Sequence, residues 1–229
     1  MNPIFCAIDT PDLAAAEKLA SSLRGKVGGI KLGLEFFMAN GPEGLRKMAA
    51  LGLPIFADMK LHDIPNTVAG AISSLLPLRP AYITLYASGG PTMMRRAAEA
   101  AAKAGADRPK LLAVTVLTSM NSEDLAATGQ DTDPVRQVVR LAKLAKENGM
   151  DGIVCSAEEI KPIRAALGNE LPLVVPGIRP VWAEVNDQKR VMTPREAMDA
   201  GATHLVIGRP ITKAADPAEA AAHIIAELA

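Results

Sequence analysis

Eight times along the chain, a short run rich in Ile, Val, Leu and Ala gives way to a longer stretch of Ala, Leu, Glu and Lys with helical spacing. No other feature restricts the fold as strongly, because strand-length apolar runs alternating with helix-length amphipathic ones are the pattern of repeated βα units. The strand candidates are IFCAID (4–9), GIKLGL (29–34), PIFADMK (54–60), YITLYA (82–87), LLAVTVL (111–117), GIVCS (152–156), LVVPGI (173–178) and HLVIGR (204–209). They are nearly continuous in apolar character, as parallel strands covered on both faces must be.

Helices are expected to begin near Asp12, Pro42, Pro65, Thr92, Pro134, Glu158, Pro194 and Pro217. Asp133 before Pro134 and Thr193 before Pro194 pair a capping side chain with a proline in the first turn, where its missing N–H costs nothing. AKAGAD, KENGMD and MDAGAT supply glycines at helix ends, where a left-handed residue stops the helix before the next strand. Eight such units in 229 residues, with no long linker, predict one domain spanning 1–229 and folded as a single (β/α)8 TIM barrel. An open doubly wound sheet is the alternative. A barrel also predicts that chemistry sits at the C-terminal ends of its strands.

Composition removes several classes of function. Lys plus Arg and Asp plus Glu each number 25 and aromatics are 3%, so there is no broad basic surface for nucleic acid or an anionic membrane, and any anion site must be local. MNPIFCAID lacks the basic and long apolar segments of a secretion signal, and no window approaches a membrane span. The chain is expected to be soluble and cytoplasmic. Cys6 and Cys155, far apart in apolar runs, read as buried small hydrophobes. His62, His204 and His223 have no metal-ligand spacing, so no metal site is expected.

The polar residues at the expected strand ends carry the chemistry. Asp9 closes the first strand candidate, Lys31 lies in the second, Asp58 and Lys60 close the third, Thr118 follows the fifth and Arg209 closes the eighth. Strand side chains alternate faces, so Asp58 and Lys60 share one side while Met59 takes the other. With Lys31 from the neighbouring strand and Asp63 just beyond, an alternating array of fixed charges is expected at the barrel mouth. VIGRP (206–210) and VVPGIRP (174–180) place Gly208, Arg209 and Arg179 where barrels frequently bind phosphate, with Gln188 in the following loop. Glycine admits backbone N–H groups to an anion, and a guanidinium matches phosphate oxygens in pairs.

DMKLHDIPNT (58–67) resembles the Asp-x-Lys-x-x-Asp-Ile-Pro-x-Thr signature of the orotidine 5'-phosphate decarboxylase family. AIDT, IKLG, VTVLTS, PGIRP, DQKR and IGRPI are similar in type and order to its bacterial form, across essentially the whole chain. The resemblance implies cofactor-independent decarboxylation of orotidine 5'-phosphate to uridine 5'-phosphate. It implies that Lys60 protonates carbon 6 of the pyrimidine, that Asp58 lies against the departing carboxylate, and that Lys31 and Asp9 hold the ribose. It further implies a homodimer in which Asp63, Ile64 and Thr67 complete the partner subunit's site. Thr118 would lie near the pyrimidine, and Arg179, Gln188, Gly208 and Arg209 would gather the phosphate, with 180–189 as a lid. Two alternatives stand beside it: a magnesium-dependent sugar-phosphate decarboxylase or aldolase of the same superfamily, and a non-catalytic nucleotide-phosphate-binding barrel. The first calls for an acidic ligand on the second strand, where this chain has Lys31.

Overall fold

The computed structural model describes residues 2–183 and 192–228. Its eight strands are β1 (Ile4–Ala7), β2 (Gly29–Leu32), β3 (Ile55–Leu61), β4 (Tyr82–Tyr86), β5 (Lys110–Val114), β6 (Gly152–Val154), β7 (Leu173–Pro176) and β8 (His204–Ile207). They pair in parallel and in chain order, and β1 joins β8 to close the barrel. The helices are α1 (Leu13–Ser22), α2 (Leu34–Ala49), α3 (Pro65–Leu75), α4 (Gly90–Ala102), α5 (Ser122–Ala127), α6 (Pro134–Glu147), α7 (Ile160–Leu167), α8 (Pro194–Ala200), α9 (Arg209–Thr212) and α10 (Pro217–Ala226). No described helix is long and apolar enough to cross a membrane.

Period-two alternation sorts the strand residues into two cores. Ile4, Cys6, Ile30, Leu32, Ile55, Ile83, Leu111 and Ile153 pack outward into the main cluster beneath the helices, while Phe5, Phe56, Tyr82, Leu112, Val174 and Val206 fill the barrel interior. Three of the few aromatic rings meet there: Phe5 packs edge-on against Phe56 at 5.8 Å and against Tyr82 at 5.2 Å between centroids, a favoured arrangement of ring quadrupoles. Space for Phe5 comes from Gly29 on β2, where a Cβ would lie 2.4 Å from the Phe5 ring and 2.6 Å from the Pro54 carbonyl oxygen. The described interior is therefore a packed plug beneath the C-terminal mouth.

Helix punctuation follows the sequence. Asp12, Asp133, Thr193 and Asp216 accept backbone N–H bonds at the starts of α1, α6, α8 and α10, the last three with proline in the first turn. Gly201 ends α8 with φ 111°. The C-terminal limits of the strands differ from expectation. β1, β5, β7 and β8 stop two to three residues before the apolar runs do, leaving Asp9 and Arg209 beyond the strands rather than on them, and Thr118 and Arg179 farther from the strand ends than expected. The reason is that Ile8, Val116 and Ile178 are loop residues buried as deeply as strand residues, so they prolong the apolar pattern past the ladder. Helix α2 also begins earlier than Pro42: it starts at Leu34 and breaks at Gly41, whose φ of 59° is non-helical, before Pro42 restarts it. The short α5 and α9 carry too few turns to show helical periodicity.

Candidate active site

At the C-terminal mouth lies a cavity of about 290 Å³, close to the lower end of small-molecule sites. Lys31, Asp58 and Lys60 form one wall, Asp9 stands beside them, and Arg179, Gly208 and Arg209 lie toward β7 and β8. Val116, Val154 and Cys155 give an apolar flank, and Thr118 completes the rim from the loop after β5. Residues spread over two hundred positions of sequence thus converge because each lies on, or just after, a strand of one closed barrel.

Asp58 is the centre of the charged wall. Only 7% of it is exposed, yet it is surrounded by donors: Lys60 Nζ lies 2.8 Å and Lys31 Nζ 3.2 Å from Oδ2, and the Thr84 hydroxyl donates to Oδ1 at 2.9 Å. Burial pushes the Asp58 carboxyl up, but the Lys31 and Lys60 charges and the hydrogen bonds from Lys60 and Thr84 outweigh it and hold the group below the usual carboxylate range. Lys31 also reaches Asp9 Oδ1 at 3.4 Å. Gly33, at the start of α2, permits this reach, since a Cβ there would stand 3.2 Å from the Lys31 ammonium. The result is a chain of alternating charge, Asp9, Lys31, Asp58, Lys60, fixed before any ligand arrives.

The expected meeting of Asp58 and Lys60 on one side is found, but not by simple alternation. Between Ala57 and Leu61 the β3–β4 register shifts: four steps along β3 match two along β4, so β3 carries a bulge of two extra residues. Within it Lys60 has φ 47°, a left-handed conformation that is unfavourable for a residue with a Cβ. The Lys60 N–H donates to Thr84 Oγ1 at 2.9 Å. Thr84 escaped the sequence reading; its signal was a lone threonine at the centre of YITLY, a position of an interior strand that an apolar residue could have filled.

Asp63, Ile64 and Thr67 do not join the cavity of their own chain. All three are exposed between β3 and the first turn of α3; Asp63 Oδ1 accepts its neighbour's N–H from Ile64 at 2.6 Å, and Ile64 is 68% exposed. Gln188 lies outside the described residues, as does most of the expected lid at 180–189. Arg179 is buried, at 7% exposure, with one guanidinium N–H donated to the Ile178 carbonyl. His62 is exposed, its ring 5.4 Å from that of Tyr86, and does not line the cavity. Cys6 and Cys155 are free thiols in buried positions; burial and then Asp9 push Cys6 up to about 12, and burial and then Glu159 raise Cys155. Among the described residues, no three His, Cys, Asp or Glu side chains gather as a metal site would require.

The model of the orotidine 5'-phosphate decarboxylase / HUMPS family matches residues 2–224. A curated protein of Rhodospirillum rubrum named orotidine 5'-phosphate decarboxylase is 53% identical over 232 residues, covering 99% of this chain and 94% of the relative. One of Sphingopyxis alaskensis with the same name is 55% identical, with 99% of each chain covered. Among solved structures, orotidine 5'-phosphate decarboxylase from Lactobacillus acidophilus superposes with a TM-score of 0.84 at 34% identity, over 100% of this chain and 99% of the other.

Proposed function

The chain belongs to the orotidine 5'-phosphate decarboxylase / HUMPS family, and on that premise we propose that its barrel mouth decarboxylates orotidine 5'-phosphate to uridine 5'-phosphate and CO2 without a cofactor. The enzyme is a carboxy-lyase of pyrimidine nucleotide biosynthesis. The observation that carries the mechanism is the Asp58 carboxylate held between two ammonium groups, at 2.8 and 3.2 Å, inside the cavity.

Breaking the bond between carbon 6 and the carboxylate leaves the electron pair on a ring carbon. A site accelerates that step only through interactions stronger in the transition state than with the substrate, and fixed positive charge beside the developing carbanion is such an interaction. The Lys60 ammonium supplies it and then transfers a proton to carbon 6, leaving a neutral amine that solvent reprotonates. Asp58 remains ionised, so a substrate carboxylate brought beside it meets like charge, and the repulsion vanishes as CO2 departs. Lys31, bridging Asp58 and Asp9, holds the carboxylate in place and offers N–H donors to the ribose hydroxyls, which Asp9 accepts. Thr118 lies at the pyrimidine edge. Arg179, Arg209, Gly208 and Gln188 form the phosphate end, whose binding energy, remote from the reacting carbon, contributes to closing the site.

The exposure of Asp63, Ile64 and Thr67 away from their own cavity supports a homodimer in which they complete the partner's site. An uncovered Ile64, with Leu34 46% and Met38 76% exposed, supplies apolar surface for such a contact. The whole chain, 1–229, then serves as one catalytic domain of a cytoplasmic enzyme. The magnesium-dependent alternative is disfavoured by Lys31 on β2 and by Glu35, which is exposed in the first turn of α2 and does not line the cavity. Loss of the orotidine 5'-phosphate absorbance band with purified enzyme in excess EDTA tests the reading. Undiminished turnover there supports it, whereas no turnover by folded protein, or turnover restored only by magnesium, refutes it.

A further inference from the structure

We propose that Thr84 is a positioning residue for this decarboxylation: its one hydroxyl ties the Asp58 carboxylate to the backbone of Lys60 and so sets the spacing of the two charged groups. The inference rests on the decarboxylase reading above but concerns a residue outside the cavity lining. Thr84 is fully buried on β4 and does not line the cavity, so it acts on the reaction only through its neighbours.

Its geometry leaves little freedom. A hydroxyl carries one proton to donate and lone pairs to accept. Thr84 Oγ1 donates to Asp58 Oδ1 at 2.9 Å and accepts the Lys60 N–H at 2.9 Å. The bulge in β3 takes that N–H out of the β3–β4 ladder, and a buried N–H without a partner is costly. Thr84, directly across from the bulge, supplies the missing acceptor from its side chain. The same atom fixes which Asp58 oxygen faces the lysines: with Oδ1 engaged by the hydroxyl, Oδ2 is left for Lys60 and Lys31. The hydroxyl thus orients the carboxylate and supports the left-handed backbone from which the Lys60 side chain springs. A valine of nearly the same shape would fill the space and break both bonds.

Three variants test this, assayed with orotidine 5'-phosphate after turnover by the wild-type enzyme is established. In Thr84→Val, kcat falls by about 10- to 100-fold, the range expected for losing hydrogen bonds to a charged group, while KM and the calorimetric affinity for uridine 5'-phosphate stay within about threefold. Thr84→Ser, which keeps the hydroxyl, stays within about threefold of wild type in all of these. The acid limb of kcat/KM moves to higher pH in the valine variant and not in the serine variant, because the Thr84 bond is one of the contacts that offset the burial of Asp58. If the valine variant does not fold, Thr84→Ala carries the same expectations. A valine or alanine variant with kcat within twofold of wild type, an effect confined to KM, or a serine variant as impaired as valine would overturn the proposal. A crystal structure of the valine variant gives a readout independent of turnover: retention of the Lys60 backbone angle and of the Lys60–Asp58 contact would also overturn it. Failure of the wild-type enzyme to act on orotidine 5'-phosphate would instead refute the function proposed above.

Discussion

Replacing Lys60 with alanine removes two contributions at once, and the structure allows each to be sized. In the proposed mechanism the ammonium is the proton donor for carbon 6, and a positioned general acid contributes about 10²- to 10⁴-fold. In that mechanism it also supplies the positive charge beside the developing carbanion, and deleting one preorganised electrostatic donor costs about 10²- to 10³-fold. Lys31 cannot stand in for it, because its Nζ approaches the same Asp58 oxygen from the β2 side at 3.2 Å and is also held by Asp9. Together the losses lower kcat by about four to seven orders of magnitude, or about 5–10 kcal/mol of activation free energy. The fold should survive, since Asp58 keeps Lys31 and Thr84 as partners and Lys60 points into a cavity rather than a packed core. The assay follows substrate absorbance, with circular dichroism and calorimetric binding of uridine 5'-phosphate as controls. A folded Lys60→Ala protein that binds product normally and turns over within tenfold of wild type would refute the assignment.

Two further outcomes are expected. Mixed Lys60→Ala and Asp63→Ala chains, each inactive alone, should recover about a quarter of wild-type activity after subunit exchange, because random pairing in a symmetric dimer gives each mixed pair one intact site; no recovery despite proven exchange would count against a shared site. His204 faces the barrel interior with Tyr82 Oη 3.3 Å from Nε2 and Thr203 Oγ1 2.9 Å from Nδ1; burial and then the Lys110 charge hold its pKa below the ordinary 6.5. Below about that pH the unfolded chain binds this proton more readily than the folded one, so stability falls with acidification, and the melting temperature should drop a few degrees more from pH 7 to pH 5 than in His204→Gln. Parallel slopes for the two proteins would exclude His204 as the source.

The fold was legible because parallel strands in a closed barrel are apolar on both faces, and because caps such as Asp133-Pro134 mark helix starts with side chains that accept the first N–H bonds. The convergence of Asp9, Lys31, Asp58, Lys60, Arg179 and Arg209 on one cavity followed from barrel closure alone. Less accessible were features that depend on a second segment. The bulge at Lys60 exists only relative to β4, and DMKL reads as a regular strand when β4 is not beside it. Thr84 likewise has meaning only from across the pair. Strand ends were overestimated where buried loop residues such as Ile8 and Val116 imitate strand burial. Asp63, Ile64 and Thr67 sit within the same signature as Asp58 and Lys60, yet are exposed and do not line the cavity. The chain turns between them, and spacing within a motif carries no record of that turn.

The left-handed backbone at Lys60 sets stability against activity at a single position. A fold selected for persistence alone would put glycine there, since glycine adopts φ 47° at no steric cost. This chain instead keeps a long, charged residue with a Cβ at an angle that a Cβ makes unfavourable. Searches for more heat-resistant versions of the protein will therefore be drawn toward replacing the residue proposed as the proton donor, so Lys60 has to be held fixed in any such selection that does not also demand turnover.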